Sequence, residues 1–253
     1  MKIIIAPAKK MKRDLDTFPI KTKPAFLEKT QILAEFLKSR TTNELKQLWN
    51  ASDKVVESSQ KQLEELDLAN QLTPAIIAFS GIQYQYMAPD LFTEPALDYI
   101  QDNLRILSGF YGALRPFDGV CPYRLELKTP MVGFIDYSLY HFWGSDVADS
   151  LFKNDDLVIN LASKEYSRLI SPYLSENRRM ITVDFLEEKN GKWRTIATHA
   201  KMARGEMVRF IAERQIKNPT ELQDFHDFDF EFDKQSSTSD HFIFKTNFDF
   251  KRR

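Results

Sequence analysis

Glycine is scarce in this chain, with 8 copies in 253 residues. That argues against an architecture built on phosphate-cradling glycine-rich loops. Cysteine is scarcer still. Cys121 stands alone, so no internal disulfide can form and a reducing compartment fits. Long apolar runs are missing too: Ile3-Ile4-Ile5 gives way to Ala6-Pro7-Ala8-Lys9-Lys10, too short for the core of a signal peptide or for a membrane span. A cytoplasmic protein with no membrane partner is expected. A surplus of positive charge is also absent, the formal net charge being −1. Nucleic-acid binders are often strongly basic, so any polyanion site here has to be a concentrated local patch. The four histidines (His141, His199, His226, His241) are scattered, with no H-E-x-x-H, no Cys–His pairing, no G-x-G-x-x-G, no Walker loop and no G-x-S-x-G. These absences remove many enzyme classes, though not those whose carboxylate or lysine sites assemble from distant segments. No metal and no cofactor is expected, no catalytic residue is assigned, and whether the chain is an enzyme stays open.

What is present describes an ordinary globular chain, 43% hydrophobic and 28% charged, with an unusual 20 phenylalanines. At this length roughly 70–75% of the unfolded surface can be buried without staples. Lys2 to Ile5 reads as a short buried strand whose carboxyl end places Lys9 and Lys10 at the sheet edge where α/β proteins hold ligands. Phe26 to Arg40 has helical spacing. Thr41 and Glu44 form a capping box before a longer helix with the stripe Leu45, Leu48, Trp49, Ser52, Val56, Ser59, Leu63, Leu66. Leu97, Ile100, Leu104 and Leu107 mark another helix face. Leu157 to Leu161 is a buried strand. Ile181 to Phe185 and Trp193 to Ala197 alternate about Asn190-Gly191, a type I′ hairpin turn. His199 to Arg214 reads as an amphipathic helix. Phe228, Phe230 and Phe232, then Phe242, Phe244, Phe248 and Phe250, recur at period two among acidic residues, predicting strands with one buried aromatic face. No repeat or linker divides the chain, so residues 1–253 are expected to form one compact domain.

Several polar segments sit where a core would not want them. Lys9-Lys10 is either a solvated pair or a ligand contact. Leu104 to Pro116, with Gly109 and Gly112, suggests a helix-hairpin-helix, whose backbone N–H groups grip DNA phosphates; the glycine spacing favours a tight buried turn beside an aromatic core. Arg124 and Glu126 share one side of an extended segment, suiting an ion pair or a ligand clamp. Cys121 reads as a small buried side chain rather than a redox thiol. Lys164 opens a helix after Asn160 to Ser163, as an anion contact or as a solvated lysine. From Lys192 to Lys217 seven cations face only Glu206 and Glu213; Lys201 and Arg204 share a helix face, and Gly205 permits close approach of a backbone or a ligand.

Taken together, the N-terminal strand ending in Ala-Pro-Ala-Lys, the block from Arg105 to Asp118 continuing to Pro122–Glu126, Phe142-Trp143-Gly144, Val158 to Tyr166, Phe185 to Lys192 and Ala200 to Gly205 resemble the YaaA-like family of bacterial peroxide-stress proteins, in the family's order and over nearly the whole chain. Two departures are Ala6, where the family usually has Ser, and Lys10, where it usually has Thr. The resemblance implies a mixed α/β (α+β) fold with a central mixed sheet, flanking helices, a helix-hairpin-helix-like element and a positively charged cleft. It also implies binding of double-stranded DNA and a part in surviving hydrogen peroxide by protecting DNA and limiting free intracellular iron. Lys9, Arg115, Arg124, Lys164, Lys201 and Arg204 are then expected to converge on one nucleic-acid-binding site. The alternative is an enzyme acting on a nucleotide or nucleobase-like molecule in the same cleft, with a small anionic ligand as partner; Lys9, Tyr111, Arg124, Glu126, Asn160, Lys164 and Tyr166 mix acids, bases and phenols beyond what backbone binding needs.

Overall fold

Ile3, Ile4 and Ile5 are all fully buried, because the strand that carries them, β1 (Lys2–Ile5), lies in the middle of a sheet covered on both faces. An unbroken apolar triplet is what a strand buried on both sides requires. The computed structural model describes residues 1–134 and 138–250. Its eight-stranded sheet also contains β2 (Leu104–Ser108), β3 (Gly112–Leu114), β4 (Leu157–Asn160), β5 (Arg179–Lys189), β6 (Lys192–Arg194), β7 (Glu231–Phe232) and β8 (His241–Thr246), in the order β7-β8-β5-β4-β1-β2-β3 with β6 paired to β5. Pairings β2/β1, β1/β4, β4/β5 and β5/β8 are parallel; β2/β3, β5/β6 and β7/β8 are antiparallel. The sheet is therefore mixed. Around it pack α1 (Leu27–Lys38), α2 (Thr42–Trp49), α3 (Asp53–Glu64), α4 (Ile82–Met87), α5 (Glu94–Asn103), α6 (Asp146–Phe152) and α7 (Ala197–Arg214), together with shorter turns. The buried apolar side chains form one continuous cluster. Among the described residues no helix is long and apolar enough to cross a membrane.

Local chemistry explains most of these boundaries. The Thr41 backbone N–H donates to Glu44 Oε2 at 2.7 Å and the Glu44 N–H donates to Thr41 Oγ1 at 3.4 Å, the reciprocal bonds of a capping box. The long helix expected after it is broken in two: Asn50 takes a left-handed φ of 42°, ending α2, and α3 restarts at Asp53. Its stripe still faces inward, with Leu45, Leu48, Trp49, Val56, Ser59 and Leu63 buried. Asn190 and Gly191 both have positive φ, 53° and 71°, as a type I′ turn between β5 and β6 demands.

Several expectations are corrected. The helix read through Leu107 stops at Asn103, and Leu104 begins β2 instead, because Leu104 to Ile106 finds a parallel partner in Ile3 to Ile5. An apolar spacing of three and four fits both a helix and the helix-to-strand junction seen here. In consequence the block from Leu104 to Pro116 is a β-hairpin and not a helix-hairpin-helix. Its turn is buried, and the N–H groups of Phe110 and Tyr111 donate inward to Ser108 Oγ at 3.1 and 2.8 Å, which spends them within the protein. The buried-turn alternative is what forms. Of the first aromatic run only Glu231–Phe232 is a strand; Phe228 and Asp229 have φ of 56° and 52°, which an extended strand excludes, yet Phe228 and Phe230 remain buried. In the second run β8 buries Phe242 and Phe244 and ends at Thr246, before Phe248 and Phe250.

Candidate ligand cleft

The carboxyl ends of β1 and β4 open onto a cleft of about 630 Å³. This is the edge at which open α/β sheets usually hold ligands. Five segments build it: residues 6–10 after β1, Ser80 and Gly81 running into α4, the extended piece from Tyr123 to Glu126 with Lys128, the turn from Ser163 to Tyr166 after β4, and Lys201 and Arg204 on α7. Asn160 shapes the fourth segment. Its Oδ1 accepts from the Ala162 N–H at 2.9 Å and its Nδ2 donates to Thr182 Oγ1 at 3.2 Å, so a buried amide turns the chain out of the sheet. Gly205 sets the fifth. A β-carbon there would stand 2.3 Å from the Gln83 carbonyl oxygen, so α4 and α7 cross with their backbones almost touching. The close approach that glycine permits is thus of another backbone.

Charge is concentrated in the cleft. Six cations line it (Lys9, Lys10, Arg124, Lys128, Lys201, Arg204) against two acids, Glu126 and Glu165. Lys9 Nζ meets Glu126 Oε1 at 2.8 Å, and Lys128 bridges Glu126 and Glu165 at 3.6 and 3.7 Å. Lys10, Arg124 and Lys201 have no carboxylate partner among the described residues. Arg204 is deeper, with its side chain 14% exposed, and its nearest carboxylate, Asp184, lies 3.9 Å away and is itself hydrogen-bonded to His241 at 2.9 Å. Burial pulls the Arg204 guanidinium below its usual pKa, only partly offset by Asp184. The inner wall is aromatic. Tyr84 donates to the Ala6 carbonyl at 3.0 Å and Tyr123 shares a hydrogen bond with Ser108 at 2.7 Å. Burial raises the pKa of Tyr84, Tyr123 and Tyr166, so all three stay protonated near neutrality.

Of the six expected site residues, Lys9, Arg124, Lys201 and Arg204 come together here. Lys164 is exposed at the start of a short helix (Lys164–Ser167) and is not among the lining residues, although its neighbours Ser163 and Glu165 are. Arg115 lies outside the cleft. Its Nε donates to Asp118 Oδ1 at 3.2 Å and its Nη2 to the Lys23 carbonyl at 3.1 Å, holding the turn after β3. Tyr111 is fully buried, its hydroxyl accepting from the Cys121 N–H at 3.0 Å, and Cys121 is likewise buried. Sequence reasoning did not single out Gln83, Tyr84, Tyr123, Lys128 or Glu165. The only signal for the first two is the uncharged polar triplet Gln83-Tyr84-Gln85, shortly after a buried apolar stretch. A second hollow of about 580 Å³ beside Tyr99 and Ile216 is bordered by Asp98, Asp102 and Lys217 and gathers none of the six.

Comparison with known proteins identifies the family. Residues 1–236 match the family described as peroxide stress protein YaaA. A UPF0246 protein of Lactobacillus acidophilus is 71% identical over 252 residues, and one of Lactobacillus helveticus is 70% identical over 252 residues, each comparison covering 100% of both chains. A UPF0246 protein of Lactiplantibacillus plantarum is 51% identical over 244 residues, 96% of this chain and 98% of the relative. With a mixed α/β fold in place and a match running from the first strand through the first aromatic segment, the chain belongs to the peroxide stress protein YaaA family, in which its lactobacillar relatives carry the name UPF0246.

Proposed function

We propose that the chain serves the peroxide stress response in the cytoplasm by binding double-stranded DNA across this cleft, protecting the DNA and limiting free intracellular iron. The observation that supports the reading is the charge of the cleft. Six cations against two acids, in a chain of net charge −1, is a local concentration of the kind a polyanion site needs. Lys10, Arg124 and Lys201 matter most. Without a carboxylate to give up, each is free to replace a counterion on a phosphate. Such contacts position a duplex without reading its sequence.

Salt titration tests this. If those three cations each neutralise one phosphate, log affinity falls against log salt with a slope of at least about −2.7, at roughly −0.9 per contact. Replacing Arg124 and Lys201 together by Ala makes the slope shallower by about 1.8. Fluorescence anisotropy of a labelled duplex between 50 and about 300 mM NaCl reads both values. Salt-insensitive binding, or an unchanged slope in the double variant, sinks the DNA reading.

One observation favours a second reading, an enzyme acting on a nucleotide or nucleobase-like small molecule. Glu126, ion-paired to Lys9 at 2.8 Å, and the buried tyrosines face a recess, where a phosphodiester backbone has no use for a carboxylate.

A further inference from the structure

Three tyrosines line the inner cleft, and two have committed hydroxyls: Tyr84 to the Ala6 carbonyl, Tyr123 to Ser108. Tyr166 differs. It is 7% exposed, and its hydroxyl has no hydrogen-bond partner among the described residues. The proximity of Tyr123, Glu165 and Glu126 adds to the effect of burial in keeping it protonated, so it is a donor awaiting an acceptor. Gln83, on the adjoining wall and 6% exposed, repeats the pattern, since its Nε2 meets no acceptor among the described residues. The broad terminal torsion of an amide side chain lets it turn toward the cleft it lines. Gln83 Nε2 and Arg204 Nε are both buried in this recess without a partner among the described residues, a cost in stability that a folded protein tolerates where a ligand completes them, and the Tyr166 hydroxyl stands beside them.

We propose that the inner cleft binds a nucleoside 5′-monophosphate, its base at Tyr166, Gln83 and Glu126 and its phosphate at Arg124 and Lys201. This rests on the second reading above, that the recess takes a small molecule, and names the class of that molecule. A base edge offers carbonyl or ring-nitrogen acceptors to Tyr166 and Gln83 and an exocyclic amine to the Glu126 carboxylate. A planar ring suits walls made of tyrosine. A phosphate dianion suits two cations that hold no other anion. The volume, about 630 Å³, falls within the roughly 300–1,000 Å³ range of small-ligand sites.

Isothermal titration of the full chain with AMP, GMP, CMP and UMP, and in parallel with adenosine, ribose 5-phosphate and inorganic phosphate, tests the assignment. At least one mononucleotide is expected to bind tenfold or more tighter than ribose 5-phosphate and than adenosine. Tyr166→Phe, which keeps the ring and removes only the hydroxyl, should weaken that binding tenfold or more with no fall in melting temperature. Gln83→Met should abolish most of it while raising the melting temperature of the free protein by about 2–4 °C, because an unpaired buried amide is removed. A residue that merely supported the fold would lower it. Ribose 5-phosphate binding as tightly as every mononucleotide overturns the base seat but leaves the small-molecule reading standing. Failure of all seven probes overturns both. Undiminished mononucleotide binding by Tyr166→Phe and Gln83→Met overturns the proposal as well.

Discussion

Gly205→Ala is expected to lower the melting temperature by roughly 4–8 °C, although the substitution puts a better helix former into the middle of α7. Two effects compete. Alanine in place of glycine favours an exposed helix interior by about 1 kcal/mol. Here the added carbon would lie 2.3 Å from the Gln83 carbonyl oxygen, 2.9 Å from the Met87 nitrogen and 3.0 Å from Tyr86 Cβ. The first two are backbone atoms and have no rotamer into which to retreat, so α4 and α7 must separate. Overpacking of this kind costs about 3 kcal/mol. The net is about 2 kcal/mol of lost stability, at roughly 2–4 °C per kcal/mol for a chain of this size. Thermal unfolding followed by circular dichroism reads the result, and an unchanged or raised melting temperature would show that the crossing is looser than described. The same separation moves Gln83 away from Arg204, so any ligand of the inner cleft should bind the variant more weakly than the stability loss alone explains.

The larger effect belongs to Phe185→Ala. This ring, 2% exposed on β5, stands at 5.8 Å from Phe225, 5.1 Å from Phe230 and 5.5 Å from Phe244, measured between centroids. The first two contacts are edge-to-face and the third is stacked, geometries that add to simple burial. Truncation removes the transfer energy of the ring and leaves a void that three other rings on different segments cannot all close. A cost of about 3–5 kcal/mol follows. Urea unfolding should show a midpoint shifted down with little change in slope. A loss below about 1 kcal/mol would mean that the cluster repacks freely. Because β5 and β8 pair through Phe185 and Phe244 themselves, the substitution should loosen the β8 edge of the sheet before the β2 edge.

How far the sequence disclosed this structure depends on how local each determinant is. The Asn190-Gly191 turn and the Thr41–Glu44 box were legible because both rest on bonds and torsions within four residues. The stripe through Leu45 and Val56 was legible as a face but not as two helices, since Asn50 signals a break only through its tolerance of left-handed φ. Leu104 was misassigned because its pairing partner, Ile3, lies far away in the chain and periodicity alone cannot see it. The cleft divides in the same way. Lys9, Arg124, Lys201 and Arg204 were conspicuous as cations in odd places, and the fold gathers them; Arg115 was equally conspicuous and is taken up by the Asp118 turn. Tyr166 stood out only as one of several phenols, and Gln83 could not be found by such means at all. What distinguishes Gln83 is a buried amide nitrogen without a partner among the described residues, which only the packed neighbours reveal.

The central position of β1 also bears on how the chain is made. Its two neighbours in the sheet are Leu104–Ile106 and Val158–Asn160, so the ribosome finishes Ile3-Ile4-Ile5 long before either flank exists. At roughly 5–20 residues per second, the second flank emerges some 8–30 s later. Throughout that interval the nascent chain presents a short strand with two open edges and two greasy faces, the kind of segment that recruits chaperones or pairs with the wrong neighbour. The sheet cannot close around its central strand until both partners have been made.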